Sequence, residues 1–190
     1  MCIRVRLQKK HVRKARKLAR LRDEGKPNIC HDGEVTQGES EYRHNVGTLG
    51  EVAFEEEWGY ELDESIRRGG DPGYDFLTEY GVKIDVKTRD IQRSGKDLAL
   101  GGEGTSDFLC DVMVLCWWRN SKSERLPILD FRGWCTKEMI EDPNVYKIEA
   151  FGPNGLKRLI EPEDLRGIDE LRFHLFAGTY NMKKSRQPTF

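Results

Sequence analysis

Between Gly73 and Thr88 the chain carries a pattern that few folds can accommodate. Val82, Ile84 and Val86 alternate with Lys83, Asp85 and Lys87, the period-two signature of a half-buried strand. Successive side chains leave a strand on opposite faces, so Val82, Ile84 and Val86 turn into a core while Asp85 and Lys87 project together. Gly73 to Thr78 reads as a second short strand, and Glu79-Tyr80-Gly81 as the hairpin turn joining the two. Closing that hairpin brings Asp75 within reach of Asp85. Two carboxylates and a lysine then gather at one place, a set of charges that suits a hard divalent cation with a phosphate beside it.

An acid-x-Lys triplet carries little weight alone in a chain that is 34% charged. It occurs a second time as Glu24-Gly25-Lys26, where no strand pattern and no upstream acid accompany it. The first copy has context on both sides. Upstream, Val46, Leu49, Ala53, Phe54 and Trp58 follow a helical stripe through Gly47, Gly50 and Glu51. Each glycine costs a helix about 1 kcal/mol relative to alanine, so Gly47 and Gly50 serve close packing or a helix start. Downstream, Cys110-Asp111 opens an apolar run ending at Trp118, and Gly133-Trp134 precedes the helix-like stretch Thr136 to Glu141.

These segments together resemble the PD-(D/E)XK phosphodiesterase superfamily, the restriction-endonuclease-like nucleases, over roughly Val46 to Glu141. Tyr74 stands where the family name places a proline, and Asp71, beside Pro72, is a rival to Asp75. The resemblance implies an α/β (α+β) fold with a restriction-endonuclease-like core, a central mixed sheet of four to five strands flanked by helices. It implies a metal-dependent nuclease acting on DNA, an endonuclease of the structure-selective, repair, recombination or restriction type. An RNA-processing nuclease and a non-catalytic nucleic-acid-binding protein on the same fold are the alternatives. Asp75, Asp85 and the Val86 carbonyl would hold Mg²⁺, with Mn²⁺ able to substitute, and Glu51 would add a ligand. Lys87 is expected to orient the attacking water and neutralise charge on the phosphate, since two neighbouring carboxylates favour its charged form. A homodimer would supply two active sites for two strands.

Charge is distributed unevenly. Eleven Lys/Arg stand against two acids from Met1 to Lys26, a net of +9, while eleven acids stand against Arg43 from Asp32 to Glu64, a net of −10. Residues 1–28 therefore read as a basic N-terminal helical arm, 29–180 as the nuclease domain and 181–190 as a basic tail. The arm, helical from Ile3 to Leu21, has three readings: packed on the core by its thin apolar stripe, gripping phosphates, or docked on the acidic segment of its own chain. In the phosphate reading Arg13, Lys14, Arg16, Lys17 and Arg20 contact nucleic acid, together with Arg89, Arg93 and Lys96 from the glycine-rich stretch Arg89 to Ser106. That stretch reads as a loop, either a plain connection or a flap over the scissile strand.

Further strands are expected at Tyr60 to Ile66, Leu126 to Phe131 and Asn144 to Phe151, with a short helix from Pro162 and an unassigned element at Leu171 to Phe176. Cys110, Cys116 and Cys135 lie in apolar stretches and are expected as buried reduced thiols, and Cys30, His31 and His44 lack a zinc-ligand spacing. The longest strictly apolar run, Val112 to Trp118, is seven residues, too short to span a bilayer. A soluble cytoplasmic protein is the expectation.

Overall fold

A computed structural model describes residues 2–25, 37–65, 73–93, 98–101, 109–119, 124–150 and 156–176. Lys26, Cys30, His31, Asp71, Pro72, Lys96 and the tail 181–190 lie outside them. The described chain is a mixed α/β structure built on a five-stranded mixed sheet in the order β1-β6-β5-β3-β2. Its strands are β1 (Ile3–Arg6), β2 (Phe76–Leu77), β3 (Lys83–Asp90), β5 (Val112–Trp118) and β6 (Ile128–Thr136). Only β3 and β5 run parallel. A three-stranded antiparallel sheet, β4 (Leu98–Gly101), β8 (Leu156–Ile160) and β7 (Lys147–Ala150), accompanies it.

The apolar run Val112 to Trp118 becomes the central strand β5, and its alternation divides two cores. Val112, Val114 and Cys116 join Leu18 of helix α1 (Lys9–Gly25), Leu49, Val52, Ala53 and Phe54 of helix α2 (Gln37–Trp58), and Ile84 and Val86 of β3. Met113, Leu115 and Trp117 turn the other way, onto Leu98 of β4, Ile160 of β8 and Ile140 of the short helix α3 (Lys137–Glu141). A strand covered on both faces reads as a continuous apolar run. The second face of β3, which was expected to meet water, is covered in part: Asp85 is itself buried, while Lys87 is about two-fifths exposed.

The hairpin turn forms as its residues indicate. The Gly81 N–H donates to Thr78 O (2.9 Å) and the Thr78 N–H to Val82 O (2.9 Å), with Gly81 at φ +82°. A three-residue loop ending in a left-handed residue favours glycine at that place. Of Gly73 to Thr78, only Phe76–Leu77 is strand.

Several elements differ from the expectation. The basic N-terminus is not helical throughout: Ile3–Arg6 is an edge strand paired antiparallel with β6, and α1 begins at Lys9. Ala15, Leu18 and Ala19 bury α1 against the core. The 89–106 segment contains β4, which pairs with β8. Among the described residues 60–65 of the strand expected at Tyr60 to Ile66, the pairing is an isolated bridge from Leu62 to Phe76. The Leu126 to Phe131 and Gly133-Trp134 segments are one strand, β6. Residues 162–164 form a turn instead of a helix, and 171–176 are helical.

Candidate active site

The candidate site lies where the β2–β3 ladder runs out. Asp75 immediately precedes β2, and its N–H donates to Ile84 O at 2.8 Å. The N–H and C=O of one strand residue point to the same side, and this side alternates along the strand. Val86, two residues beyond Ile84, therefore offers its backbone groups to the same edge. There the Asp75 side chain replaces a partner strand: Oδ2 accepts the Val86 N–H at 2.7 Å. The Val86 carbonyl faces the same open edge.

Glu51 approaches this edge from the α2 side of the sheet and Asp85 from the opposite side. Gly50 lets α2 come close. A Cβ built there would lie 1.8 Å from Thr88 Oγ1, so the helix backbone rests on β3 one residue away from Glu51. Thr88 is accordingly a packing residue, its hydroxyl donating to Gly47 O at 3.4 Å. All three carboxylates are buried, at 4–5% exposure.

Their proximity is felt by Asp75. Burial first, then the charges of Glu51 and Asp85, push its carboxyl well above the usual carboxylate range, against the pull of the Val86 N–H and Lys87. Lys87 Nζ stands 2.6 Å from Asp85 Oδ2 and remains about two-fifths exposed. The amine thus lies between the buried carboxylates and solvent. The adjoining thiols are inert: burial, then the Asp85 charge, pushes Cys110 up to about 12, and burial, then the neighbouring Cys110 and Asp85, does the same for Cys135. Cys110, Cys116 and Cys135 are buried and free, as expected.

One participant was not anticipated. Arg22, near the end of α1, donates from Nη1 to both oxygens of Glu51 (2.8 Å each) and from Nη2 to Asp63 O (3.4 Å). Its signal was present in the charges. Lys14 and Arg22 of α1 meet Glu55 and Glu51 of α2 as the two helices run antiparallel, which is the reading in which the basic arm docks on the acidic segment of its own chain.

The expected nucleic-acid contacts fall into groups. Arg13, Arg16, Lys17 and Arg20 are exposed on α1, with Arg20 bonded to Glu24 at 2.8 Å. Lys14 is committed inward, to Glu55 and Glu64 at 2.7 Å each. The helix therefore combines two of its three readings, an apolar stripe on the core and acidic partners within the chain, while six cations, with Lys9 and Lys10 among them, remain on its surface. Arg89 follows Lys87 on the same face of β3. Arg93 lies over the Tyr42 ring, 4.4 Å from its centroid, at the far end of β3. There the Tyr42 hydroxyl donates to buried Asp90.

Among the described residues, no three His, Cys, Asp or Glu side chains are placed to hold a metal ion. The donors nonetheless match a hard divalent cation in kind: two buried carboxylates and a backbone carbonyl share one edge, and the negative charge there is incompletely balanced on Asp75. Both Glu51 oxygens already have a cation, Arg22. No family model, curated protein or solved structure matches the chain. Among the described residues no helix is long and apolar enough to cross a membrane.

Proposed function

We propose that this edge is the active site of a metal-dependent nuclease of the PD-(D/E)XK type, hydrolysing phosphodiester bonds in DNA. The supporting observation is the gathering of Glu51, Asp75 and Asp85 at the open side of β3, with Lys87 bonded to Asp85. Buried carboxylates repel one another, and a fold that collects three of them has a use for a cation.

Asp75 and Asp85 would hold Mg²⁺ together with the Val86 carbonyl, and Mn²⁺ would substitute. The bound ion would supply Lewis-acid polarisation of a phosphate oxygen and a water acidified toward neutrality. The chain does the rest. Val86 fixes the Asp75 carboxylate through its N–H, so one ligand oxygen is set before substrate arrives. Lys87, held beside Asp85, would orient the attacking water and donate to the non-bridging phosphate oxygens, where charge grows in the transition state. The exposed cations of α1 would contact the phosphate backbone without regard to sequence. Cleavage of both strands needs two such edges, which a homodimer would provide.

The test is a panel of labelled duplex, single-stranded, branched and RNA substrates incubated with the full chain in Mg²⁺ or EDTA. Mg²⁺-dependent DNA cleavage that disappears in Asp75→Asn and Asp85→Asn supports the reading. Cleavage at the wild-type rate by both variants would place the chemistry elsewhere, and cleavage of RNA alone would reassign the substrate.

A further inference from the structure

Arg22 is held by three constraints. Its Nη1 lies 2.8 Å from both oxygens of Glu51, on the side of the carboxylate that a bidentate cation would occupy. Its Nη2 reaches Asp63 O at 3.4 Å. Asp63 in turn donates its N–H to Asp75 O at 3.1 Å, so the guanidinium is joined through one residue to the backbone of the central carboxylate. Both members of the pair are largely shielded, with side chains 21% and 7% exposed. An ion pair out of water is tight when its geometry is good, and here one guanidinium nitrogen spans the carboxylate while the other reaches Asp63 O, two contacts that the single amine of lysine cannot make together.

The charge balance of the edge follows. Three carboxylates gather there, and two fixed cations, Arg22 and Lys87, engage Glu51 and Asp85. Asp75 accepts the Val86 N–H at 2.7 Å. One divalent ion shared by Asp75 and Asp85 would complete the set, whereas a second ion on Glu51 would have to displace Arg22.

We infer that Arg22 is a positioning residue of this site that occupies the place of a second divalent cation on Glu51, so that each chain takes a single Mg²⁺-type ion. The inference rests on the nuclease reading above and names the metal stoichiometry of the same edge. It also gives α1 a function within the site.

The experiment counts Mn²⁺ bound to the full-length protein by calorimetry and by electron paramagnetic resonance, without substrate. Wild type and Arg22→Lys should bind one Mn²⁺ per chain. Arg22→Met should gain a second, weaker Mn²⁺, which disappears when Glu51→Gln is added. On DNA, Arg22→Met should lower kcat about 10- to 100-fold, as loss of a ligand-orienting partner does, with KM little changed and partial recovery in Arg22→Lys. Adding Glu51→Gln to Arg22→Met should lower kcat little further. Far-UV circular dichroism checks that each variant is folded, and Arg22→Gln, with the same second Mn²⁺ expected, carries the test if Arg22→Met is not.

Two Mn²⁺ per wild-type chain, a single Mn²⁺ in folded Arg22→Met, or losses from Arg22→Met and Glu51→Gln that multiply would each overturn the inference. Because the count uses Mn²⁺ alone, it separates from the nuclease reading. Retained cleavage in Asp75→Asn and Asp85→Asn would remove that reading and leave the Arg22 stoichiometry still measurable.

Discussion

Gly50→Ala tests the packing that brings Glu51 to the sheet. The added methyl would lie 1.8 Å from Thr88 Oγ1, 3.0 Å from Thr88 Cβ and 3.2 Å from Cγ2. Rotating χ1 of Thr88 offers only limited escape, because one alternative rotamer puts Cγ2 in place of Oγ1 and Cβ stays at 3.0 Å in every rotamer. Either α2 lifts from β3 or the strand yields. Overpacking of this kind costs about 1–3 kcal/mol, and alanine returns about 1 kcal/mol of helix propensity. With both partners in regular elements the clash falls in the upper part of its range, leaving a net loss of about 1–2 kcal/mol. For a chain of 190 residues that is a drop in Tm of about 2–8 °C.

The assay is thermal and urea unfolding of Gly50→Ala, Thr88→Ala and the double variant. Thr88→Ala removes the atoms at 1.8 and 3.2 Å and leaves the Cβ at 3.0 Å, a contact that a shift of a few tenths of an ångström relieves. In that background Gly50→Ala should be neutral or stabilising. The coupling, about 1 kcal/mol or more, lies within the range for residues in contact. Gly50→Ala as stable as wild type, or equally destabilising with and without the Thr88 side chain, would refute the argument.

Asp75→Asn and Asp85→Asn should each abolish DNA cleavage and weaken Mn²⁺ binding while the fold persists, measured by gel assay and calorimetry. Lys87→Ala should lower kcat about 10²- to 10³-fold, the scale of losing one transition-state donor, with Mn²⁺ affinity nearly unchanged; an equal loss of metal affinity would make it a structural counter-ion. The remaining prediction concerns Asp130, fully buried and bonded to Arg4 at 2.7 Å and to Arg119 at 2.5 Å. Burial alone would raise its carboxyl, but hydrogen bonds from Arg4 and Arg119 hold it below the usual value. Its stabilisation is therefore complete above the unfolded carboxyl value and lost as pH falls through the lower folded value. Asp130→Asn should cost about 1.5–3 kcal/mol at neutral pH, the worth of hydrogen bonds to a charged group, and should flatten urea-unfolding stability measured below about pH 4. An unchanged acid slope would show that the carboxylate is not linked to folding.

The hairpin was legible because its signals are local. Alternation at Val82, Ile84 and Val86 sets the strand, Gly81 sets the turn, and the two together place Asp75 beside β3. Gly50 was legible as a packing glycine because its helix cost demands a return. The second core was not legible. Asp85 and Lys87 looked solvent-facing because charged residues in alternation mimic a half-buried strand, and the layer that covers that face comes from β4 and β8, more than ten and seventy residues away in sequence. Strand β1 was hidden for a related reason. Ile3-Arg4-Val5-Arg6 is too short to distinguish a strand from the start of a basic helix, and its identity depends on pairing with Ile128 to Phe131.

The failure to read Arg22 and the burial of Asp85 have one physical cause. A carboxylate in water needs no partner, so a solvent-facing site predicts none. Once the second layer closes over Asp85 and α1 packs beside α2, the carboxylates lose their water, and buried charges require compensation. The fold supplies it from wherever a cation can reach: Lys87 from the same strand, Arg22 from a helix twenty-nine residues upstream of Glu51. The compensation is incomplete at Asp75, which accepts the Val86 N–H and feels the charges of Glu51 and Asp85 more than that of Lys87. That incompleteness separates this edge from the Asp130 cluster, where two arginines meet one buried carboxylate and hold it in its ionised form. At Asp130 the charges close on themselves and stabilise the fold. At Asp75 they do not close, and the cation proposed above would complete them.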